Sequence, residues 1–418
     1  MPRDQDPSDV ADENSSADDP TPHTTPSRSS VGEVAREFSR LGVTSFGGPV
    51  AHLGYFRTAF VERLRWLSDR AYADLVALCQ FLPGPASSQV GMAVGLSRAG
   101  YRGMAVAWAG FTLPSVIALV LFAYAVDSLG DISSSGWIAG LKAVAVAVVA
   151  HALLGMVKNL AADRERATIA AGAMIFALLV PGSFGQVGAI LAAGAIGVVW
   201  LRATSADPDA HLPLPVRPSV GIVSLVLFFG LLVGLPMLVT LTSNDGLRLF
   251  DVFYRSGALV FGGGHVVLPL LQAEMVETGM IGMEEFLAGY GAAQAVPGPL
   301  FTFAGYLGTL NTTGPDGILG ATIATVGIFL PATLLVLGVA PFWNRVRHIP
   351  TIRRALLGIN AGVVGILAAA LYDPVFTSGI TGPIAMAIAA AAFVALQSWK
   401  VAPWIVVVLG ALAGWAFL

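Results

Sequence analysis

Two Pro-Gly-Pro triplets are the clearest chemical signal in this sequence. They are Pro83–Pro85 and Pro297–Pro299, 214 residues apart, and each follows a glutamine, Gln80 or Gln294. The second proline of such a triplet suits the first turn of a new helix, because its missing N–H is not needed there. The free N–H groups of that turn and the positive end of the helix dipole favour an anion. The triplets therefore predict two anion-binding helix starts, near Pro85 and Pro299.

Glycine runs accompany the triplets. Phe46–Pro49, followed by His52, returns as Phe261–Gly264, followed by His265. Glycine adopts positive φ at little cost and allows close backbone approach. We therefore expect the runs to form two further backbone tips beside the triplets.

The two sets of breaks belong to an internal duplication. The register holds at 214 residues without a gap from the pair Trp66 and Met280 to the pair Gly103 and Gly317. Each copy thus holds two broken apolar segments, 33–63 and 69–99 in the first and 248–278 and 284–310 in the second. Transporters use such interrupted helices to expose backbone polar groups at membrane depth.

Composition indicates a membrane protein. Hydrophobic residues make up 55% of the 418 residues, charged residues 12%, and the mean hydropathy is +0.74. The single cysteine, Cys79, excludes a disulfide framework. No metal-binding His-Glu-His spacing, nucleophile elbow or Walker phosphate loop is present, so we predict no enzyme, cofactor or metal. We expect the bilayer as a partner and no nucleic acid.

Four regions follow from these patterns. Residues 1–30 hold seven acids against Arg3 and Arg28 and predict a disordered acidic tail. Residues 31–203 form the first repeat, 204–244 a linker with one unpaired transmembrane helix, and 245–418 the second repeat.

Basic residues decide between two topologies. If all thirteen apolar segments cross, the basic stretch from Arg57 to Arg70 lies on the side opposite the other basic loops. If the broken segments are re-entrant hairpins, every basic loop and the N-terminus face the cytoplasm. In either topology one odd helix separates two even halves, which inverts the copies. The predicted fold is an all-α polytopic membrane protein with two inverted-topology repeats, whose broken or re-entrant helices meet near the midplane.

The candidate site residues follow from these elements. Arg57 and Lys142 are candidate charge partners of an anion, although Arg57 also has Glu62 nearby and both cations could extend to the membrane interface. The predicted substrate-binding set is Gly47, Gly48, Arg57, Gln80, Pro83, Gly84, Pro85, Ser87, Ser88, Lys142, Gly262, Gly263, Gly264, Gln294, Pro297, Gly298, Pro299 and Thr302. The proton-coupling candidates are His52, His265, Glu274 and Glu277.

These motifs together resemble a known family. The first glycine run with His52, Arg57 and the pairs Phe60–Val61 and Trp66–Leu67, the Pro83–Pro85 triplet, and the second run with Pro269–Leu270 are similar to the long, two-domain members of the chromate ion transporter family. The resemblance covers nearly everything from about residue 33 onward.

The resemblance implies an inner-membrane transporter that expels chromate and confers chromate resistance. It implies that the glycine runs, the triplets and Arg57 are transport residues. Sulfate is a tetrahedral dianion of similar size, so the sequence does not separate the two substrates. The sequence is also compatible with an anion channel in place of a transporter. It does not decide between antiport and uniport, and it leaves a homodimer open. An inside-negative potential favours outward movement of a dianion, so export could proceed without proton coupling.

Overall fold

A computed structural model describes residues 29–128, 135–202, 214–261 and 263–418. Within these ranges the chain is helical and has no β-strand. Residues 1–28 of the predicted acidic tail, residues 203–213 of the predicted linker and the predicted site residue Gly262 lie outside the described residues.

The helices fall into two matching series. The first series is α1 Val31–Thr44, α2 Gly48–Arg57 with a π-helical turn Thr58–Arg63, α3 Asp69–Phe81, α4 Ala86–Ser128, α5 Gly136–Leu160, α6 Arg164–Leu179 and α7 Ser183–Trp200. Helix α8, Pro218–Thr242, links it to the second series. The second series is α9 Asp245–Leu259, a 3₁₀ turn Gly264–Val266, α10 Val267–Leu271, a π-helical turn Gln272–Val276, α11 Met283–Ala293, a 3₁₀ turn Leu300–Thr302, α12 Phe303–Thr309, α13 Gly317–Val339, a 3₁₀ turn Ala340–Phe342, α14 Trp343–Val346, α15 Pro350–Ala370, a π-helical turn Leu371–Phe376, α16 Thr377–Gly379, α17 Pro383–Gln397 and α18 Pro403–Phe417.

Local sequence accounts for several helix starts. Ser30, Ser68 and Asn244 each accept a backbone N–H from the first turn of α1, α3 and α9 with a side-chain oxygen, which satisfies a donor that the helix itself leaves unpaired. Inside α4, Ala99 and Gly100 leave helical geometry, and Gly100 has a φ of +63°. The two parts of α4 then turn back on each other, with the Gly95 and Gly103 backbones in contact.

The chain is a multi-pass membrane protein. Among the described residues, six helices are long and apolar enough to cross a bilayer: Ala86–Ser128, Gly136–Leu160, Ser183–Trp200, Pro218–Thr242, Gly317–Val346 and Pro350–Gly379. Large apolar side chains such as Val226, Phe229 and Val233 of α8 are exposed, as expected for a surface that faces lipid. The predicted all-α polytopic class is confirmed.

The first broken segment folds back on itself. The Arg63 guanidinium lies 2.5 Å from a carboxylate oxygen of Glu37, 26 residues earlier. An unbroken helix would hold these residues about 39 Å apart. The chain therefore runs from Glu37 to a tip near Gly47 and returns along α2.

The other three broken segments fold back in the same way. Arg98 lies over the ring of Trp66, 5.4 Å from its centroid. In the second copy, Arg255 contacts Glu274 across one break, and the Tyr306 hydroxyl donates to the Glu285 carbonyl oxygen across the other. The hairpin geometry is thus confirmed, while the membrane side of each hairpin stays a prediction.

The two copies exchange helices. Helix α5 of the first copy packs against α17 and α18 of the second, and α15 of the second copy packs against α6 and α7 of the first. Glycines allow these close approaches, because a Cβ on Gly140 would collide with the Gly410 backbone and one on Gly358 with the Ala193 backbone. Reciprocal contacts of this kind are expected for two units related by a two-fold axis.

Inverted hairpins predict opposite accessibility for two equivalent loops. In a Cys79→Ala background, a cysteine replacing Arg65 should react with a membrane-impermeant maleimide only after the cells are permeabilised. A cysteine replacing Thr278, at nearly the same place in the second copy, should react in intact cells. Both residues are exposed. Reaction of both cysteines from the outside would contradict the inverted arrangement.

Candidate anion site at the four hairpin tips

Each hairpin turns at a tip that contains a glycine with positive φ. Tip 1 is residues 45–48, tip 2 is 82–85, tip 3 is 260–263 without Gly262, and tip 4 is 294–299. The values of φ are +103° at Gly47, +113° at Gly84, +131° at Gly263 and +94° at Gly298. Residues with a Cβ rarely adopt this conformation. Gly48 also has positive φ, at +79°, whereas Gly264 begins a 3₁₀ turn.

Two backbone hydrogen bonds join the copies at these tips. The Gly84 N–H donates to the Val260 carbonyl oxygen at 2.7 Å, and the Gly298 N–H donates to the Ser45 carbonyl oxygen at 2.8 Å. The Pro-Gly-Pro tip of each copy therefore docks onto the glycine tip of the other copy. The predicted convergence of the four breaks is confirmed, and the exchange between copies is a finding that sequence analysis did not anticipate.

Side chains complete the cluster of tips. The buried His52 ring contacts the Ser45 carbonyl oxygen at 3.2 Å and the Ser87 hydroxyl at 3.3 Å, which links tips 1 and 2. At tips 3 and 4, a Cβ on Gly264 would lie 3.5 Å from the Leu300 side chain. All four tips are thus connected in one closed group.

The long helices of both copies hold the tips from behind. A Cβ on Gly84 would lie 3.1 Å from the Ala332 side chain of α13, and one on Gly298 would lie 2.5 Å from the Ser115 hydroxyl of α4. The Ser115 hydroxyl also donates to the Pro297 carbonyl oxygen. Each triplet is therefore fixed by a helix of the opposite copy.

The two predicted helix starts differ. Helix α4 begins directly after Pro85, and its first intrahelical donor is the Gln89 N–H, which bonds the Pro85 carbonyl oxygen at 2.9 Å. The second start is a 3₁₀ turn, in which the Thr302 N–H and hydroxyl both bond the Pro299 carbonyl oxygen. The expectation of equal N–H cradles is corrected: the first copy leaves the N–H groups of 86–88 outside the helix ladder, and the second uses its Thr302 donor internally.

Several buried polar atoms at the tips have no partner within the described residues. They are the hydroxyls of Ser45 and Ser88, the Gln89 side-chain oxygen and the Gln294 side-chain nitrogen, with the Thr112 hydroxyl of α4 as a fifth. Buried polar groups are normally hydrogen-bonded, so an unpaired group requires an explanation. The two serines and Gln294 supply donors of the type that an oxyanion accepts. Sequence analysis missed Ser45, Gln89 and Thr112, although the first two lie within a few residues of a break.

Both predicted cations are paired with carboxylates. Arg57, 47% exposed, donates to Asp69 at 2.6 Å and also binds Glu62. It follows Gly48 by nine residues, about 13 Å along a helix. Lys142 is buried and binds Glu284 of the second copy. The prediction that these two cations face an anion at the tips is therefore not supported, because both charges are already matched by carboxylates. Gln80 is exposed and does not join its counterpart Gln294.

The proton-coupling candidates fall into two groups. His52 belongs to the tips, and His265 is bonded to the Tyr290 hydroxyl at 2.8 Å. Glu274 is bonded to Arg255, a residue that sequence analysis missed. Glu277 lies at the exposed end of its hairpin, where partial burial and the nearby carboxylates of Glu274 and Asp373 raise its pKa.

Comparisons with known proteins agree on one family. The family model described as chromate transporter matches residues 32–198 and 247–415. The chromate transport protein of Pseudomonas aeruginosa is 28% identical over 431 residues, with 96% of each chain covered. The probable chromate transport protein of Synechococcus elongatus is 26% identical, covering 93% of this chain and 96% of the relative. The chromate transport protein of Cupriavidus metallidurans is 26% identical, covering 84% and 83% respectively. No solved structure matches.

The tip glycines yield a stability prediction. Gly84→Ala and Gly298→Ala should each destabilise the purified protein by about 1–3 kcal/mol, because alanine must adopt positive φ in a crowded place. Gly155→Ala is the matched control, since its Cβ would meet nothing within 4 Å in helix α5. Thermal unfolding in detergent measures the effect. Equal melting temperatures for all three variants would contradict the close docking of the tips.

Proposed function

This chain belongs to the chromate transporter family, and we propose that it is a secondary transporter that exports chromate across the inner membrane and thereby confers chromate resistance. The observation that carries the proposal is the cluster of four tips, in which two backbone hydrogen bonds join the copies and buried donors remain unpaired. The names of the matched relatives support chromate as the substrate. The same chemistry admits sulfate as a competitor.

Neutral donors are the proposed ligands of the anion. They are the N–H groups at 86–88, the hydroxyls of Ser45 and Ser88 and the Gln294 amide. A hydrogen bond to a charged group contributes about 1.5–3 kcal/mol, and the dipole of α4 adds to it. Since Arg57 and Lys142 are paired with carboxylates, their proposed role is structural. Arg57 joins α2 to α3, and Lys142 joins α5 to α11. A site without a fixed counter-charge releases a dianion without breaking a salt bridge.

Relative movement of the two copies is the proposed route of access. The tips meet between the copies, so a small rotation of one copy against the other would open the site toward one side of the membrane. The backbone bonds of Gly84 and Gly298 are the contacts that such a movement must alter. With the hairpin topology predicted from the basic loops, the N-terminus faces the cytoplasm.

The membrane potential supplies a driving force. Each elementary charge moved through 100 mV corresponds to about 2.3 kcal/mol, so an outgoing dianion gains about 4.6 kcal/mol across an inside-negative membrane. Uniport is thus sufficient for export. Antiport against protons adds the proton gradient as a second driving force, which allows export against a steeper chromate gradient.

Flux into inside-out vesicles tests the proposal. Wild-type vesicles should take up radiolabelled chromate faster when the lumen is positive, and unlabelled sulfate should compete. Ser88→Ala should weaken chromate binding about tenfold or more, the effect of losing one charged hydrogen bond. Gln294→Glu should be more severe, because its carboxylate would face the dianion.

Asn159→Asp is the matched control for the added charge, since Asn159 is exposed at the end of α5. It should transport like the wild type. Normal chromate affinity in both Ser88→Ala and Gln294→Glu would overturn the tip site. Wild-type vesicles that show no chromate uptake would overturn the substrate.

A further inference from the structure

Arg255 bridges the two arms of the third hairpin. Its guanidinium donates to one oxygen of Asp251, at 3.0 Å from Nε and 2.9 Å from Nη2. It also donates to both oxygens of Glu274, at 2.9 and 3.1 Å. One cation is thus shared by two carboxylates, and we call these three residues the acidic triad.

The acidic triad is buried and carries an excess negative charge. The side chain of Asp251 is 5% exposed and that of Glu274 is 14% exposed. With both carboxylates ionised, the triad has a net charge of −1. Isolated charges are costly away from water, and a carboxylate there tends to take a proton instead.

Among the described residues, Arg255 is the one cation that contacts either carboxylate. Helices α8 and α13, which pack against α9, carry no ionisable side chain. On α9 itself the other ionisable residues are Asp245, Arg248 and Tyr254, and Tyr254 donates its hydroxyl to the Phe228 carbonyl oxygen. The second arm of the third hairpin contains His265, which is bonded to Tyr290. The carboxylate of Glu277 lies near those of Glu274 and Asp373. The nearby acids increase the repulsion on an ionised triad.

One atom of the triad has no partner in the part of the chain that the structure describes. The second oxygen of Asp251, Oδ1, is buried without a hydrogen bond. Arg255 occupies only Oδ2 of this carboxylate, so Oδ1 is free to hold a proton. Glu274 has both oxygens occupied by Arg255.

The first copy lacks this excess charge. Glu37 is a carboxylate in the corresponding arm of the first hairpin and is about as buried as Asp251. It is matched by Arg63 at 2.5 Å. With Phe46 aligned to Phe261, the first copy has the apolar Ala59 at the position of Glu274. The buried carboxylate in this hairpin arm is therefore neutralised in the first copy, whereas the corresponding hairpin of the second copy carries an excess negative charge.

We propose that the acidic triad binds one proton, held at Asp251 Oδ1 and shared with Glu274, and that this proton is the counter-ion of transport. The proposal rests on the proposed chromate export. A proton enters from the side to which Glu274 is partly exposed, converts the triad from −1 to neutral, and leaves on the opposite side as the copies move. Chromate and protons then cross in opposite directions.

Infrared spectroscopy of the purified full-length protein tests the proton site without any transport. A pH titration of the wild type should show a carbonyl band of a protonated carboxyl group that persists above the pH at which exposed carboxylates ionise. Asp251→Asn and Glu274→Gln should each lose this band. Glu165→Gln, which removes an exposed carboxylate from the first turn of α6, should keep it. A wild type without the band, or variants that retain it, would overturn the proposal.

Proteoliposomes test the coupling. A pH difference of one unit corresponds to about 1.36 kcal/mol per proton, so it should change the wild-type chromate accumulation ratio about tenfold for each proton exchanged. Asp251→Asn mimics the protonated state and should still exchange chromate for chromate while losing this response; Glu274→Gln should behave alike. An unchanged response in both variants would overturn the coupling. A wild type that moves no chromate would defeat the proposed function instead, and the infrared result would still decide the proton site.

Discussion

Unpaired backbone groups at membrane depth are the constraint on which this structure depends. A break in a helix exposes N–H and carbonyl groups that lipid cannot satisfy. The two copies satisfy each other's exposed groups. In each copy, the glycine N–H of the Pro-Gly-Pro triplet donates to a carbonyl oxygen at the glycine tip of the other copy. Neither copy contains both partners of these bonds. The duplication is therefore a structural requirement for the tips as well as a record of how the sequence arose.

Close approach follows from the same constraint. Tips can dock only where no Cβ intervenes, since a Cβ on Gly84 or Gly298 would lie within 3.1 Å or 2.5 Å of a side chain of the opposite long helix. The exchange of α5 and α15 between the copies likewise depends on small residues along their faces, as is common where membrane helices pack without water. The result is a central group of tips held by both copies, which relative movement of the copies would alter.

Sequence reasoning reached the repeats and the tips because glycine and proline report backbone geometry directly, and it reached the hairpins because the basic residues then fall on one side of the membrane. It did not predict which tips pair between the copies. A sequence repeat shows which residues are equivalent, but it does not show which residues are neighbours in the folded protein. The carboxylate partners of Arg57 and Lys142 were missed for a related reason, because Asp69 and Glu284 come from other elements. Arg255 was missed because Asp251 lies four residues before it, a spacing typical of an ordinary helix-surface ion pair. Only the folded hairpin adds Glu274 to that pair.

In the proposed site, a dianion binds among the tips through neutral donors. Anomalous X-ray diffraction from crystals grown with chromate would locate the chromium atom directly. We expect a single peak between tips 1, 2 and 4, with chromate oxygens within hydrogen-bonding distance of the Ser88 hydroxyl and the Gln294 amide. A peak beside Arg57, or outside the group of tips, would contradict it.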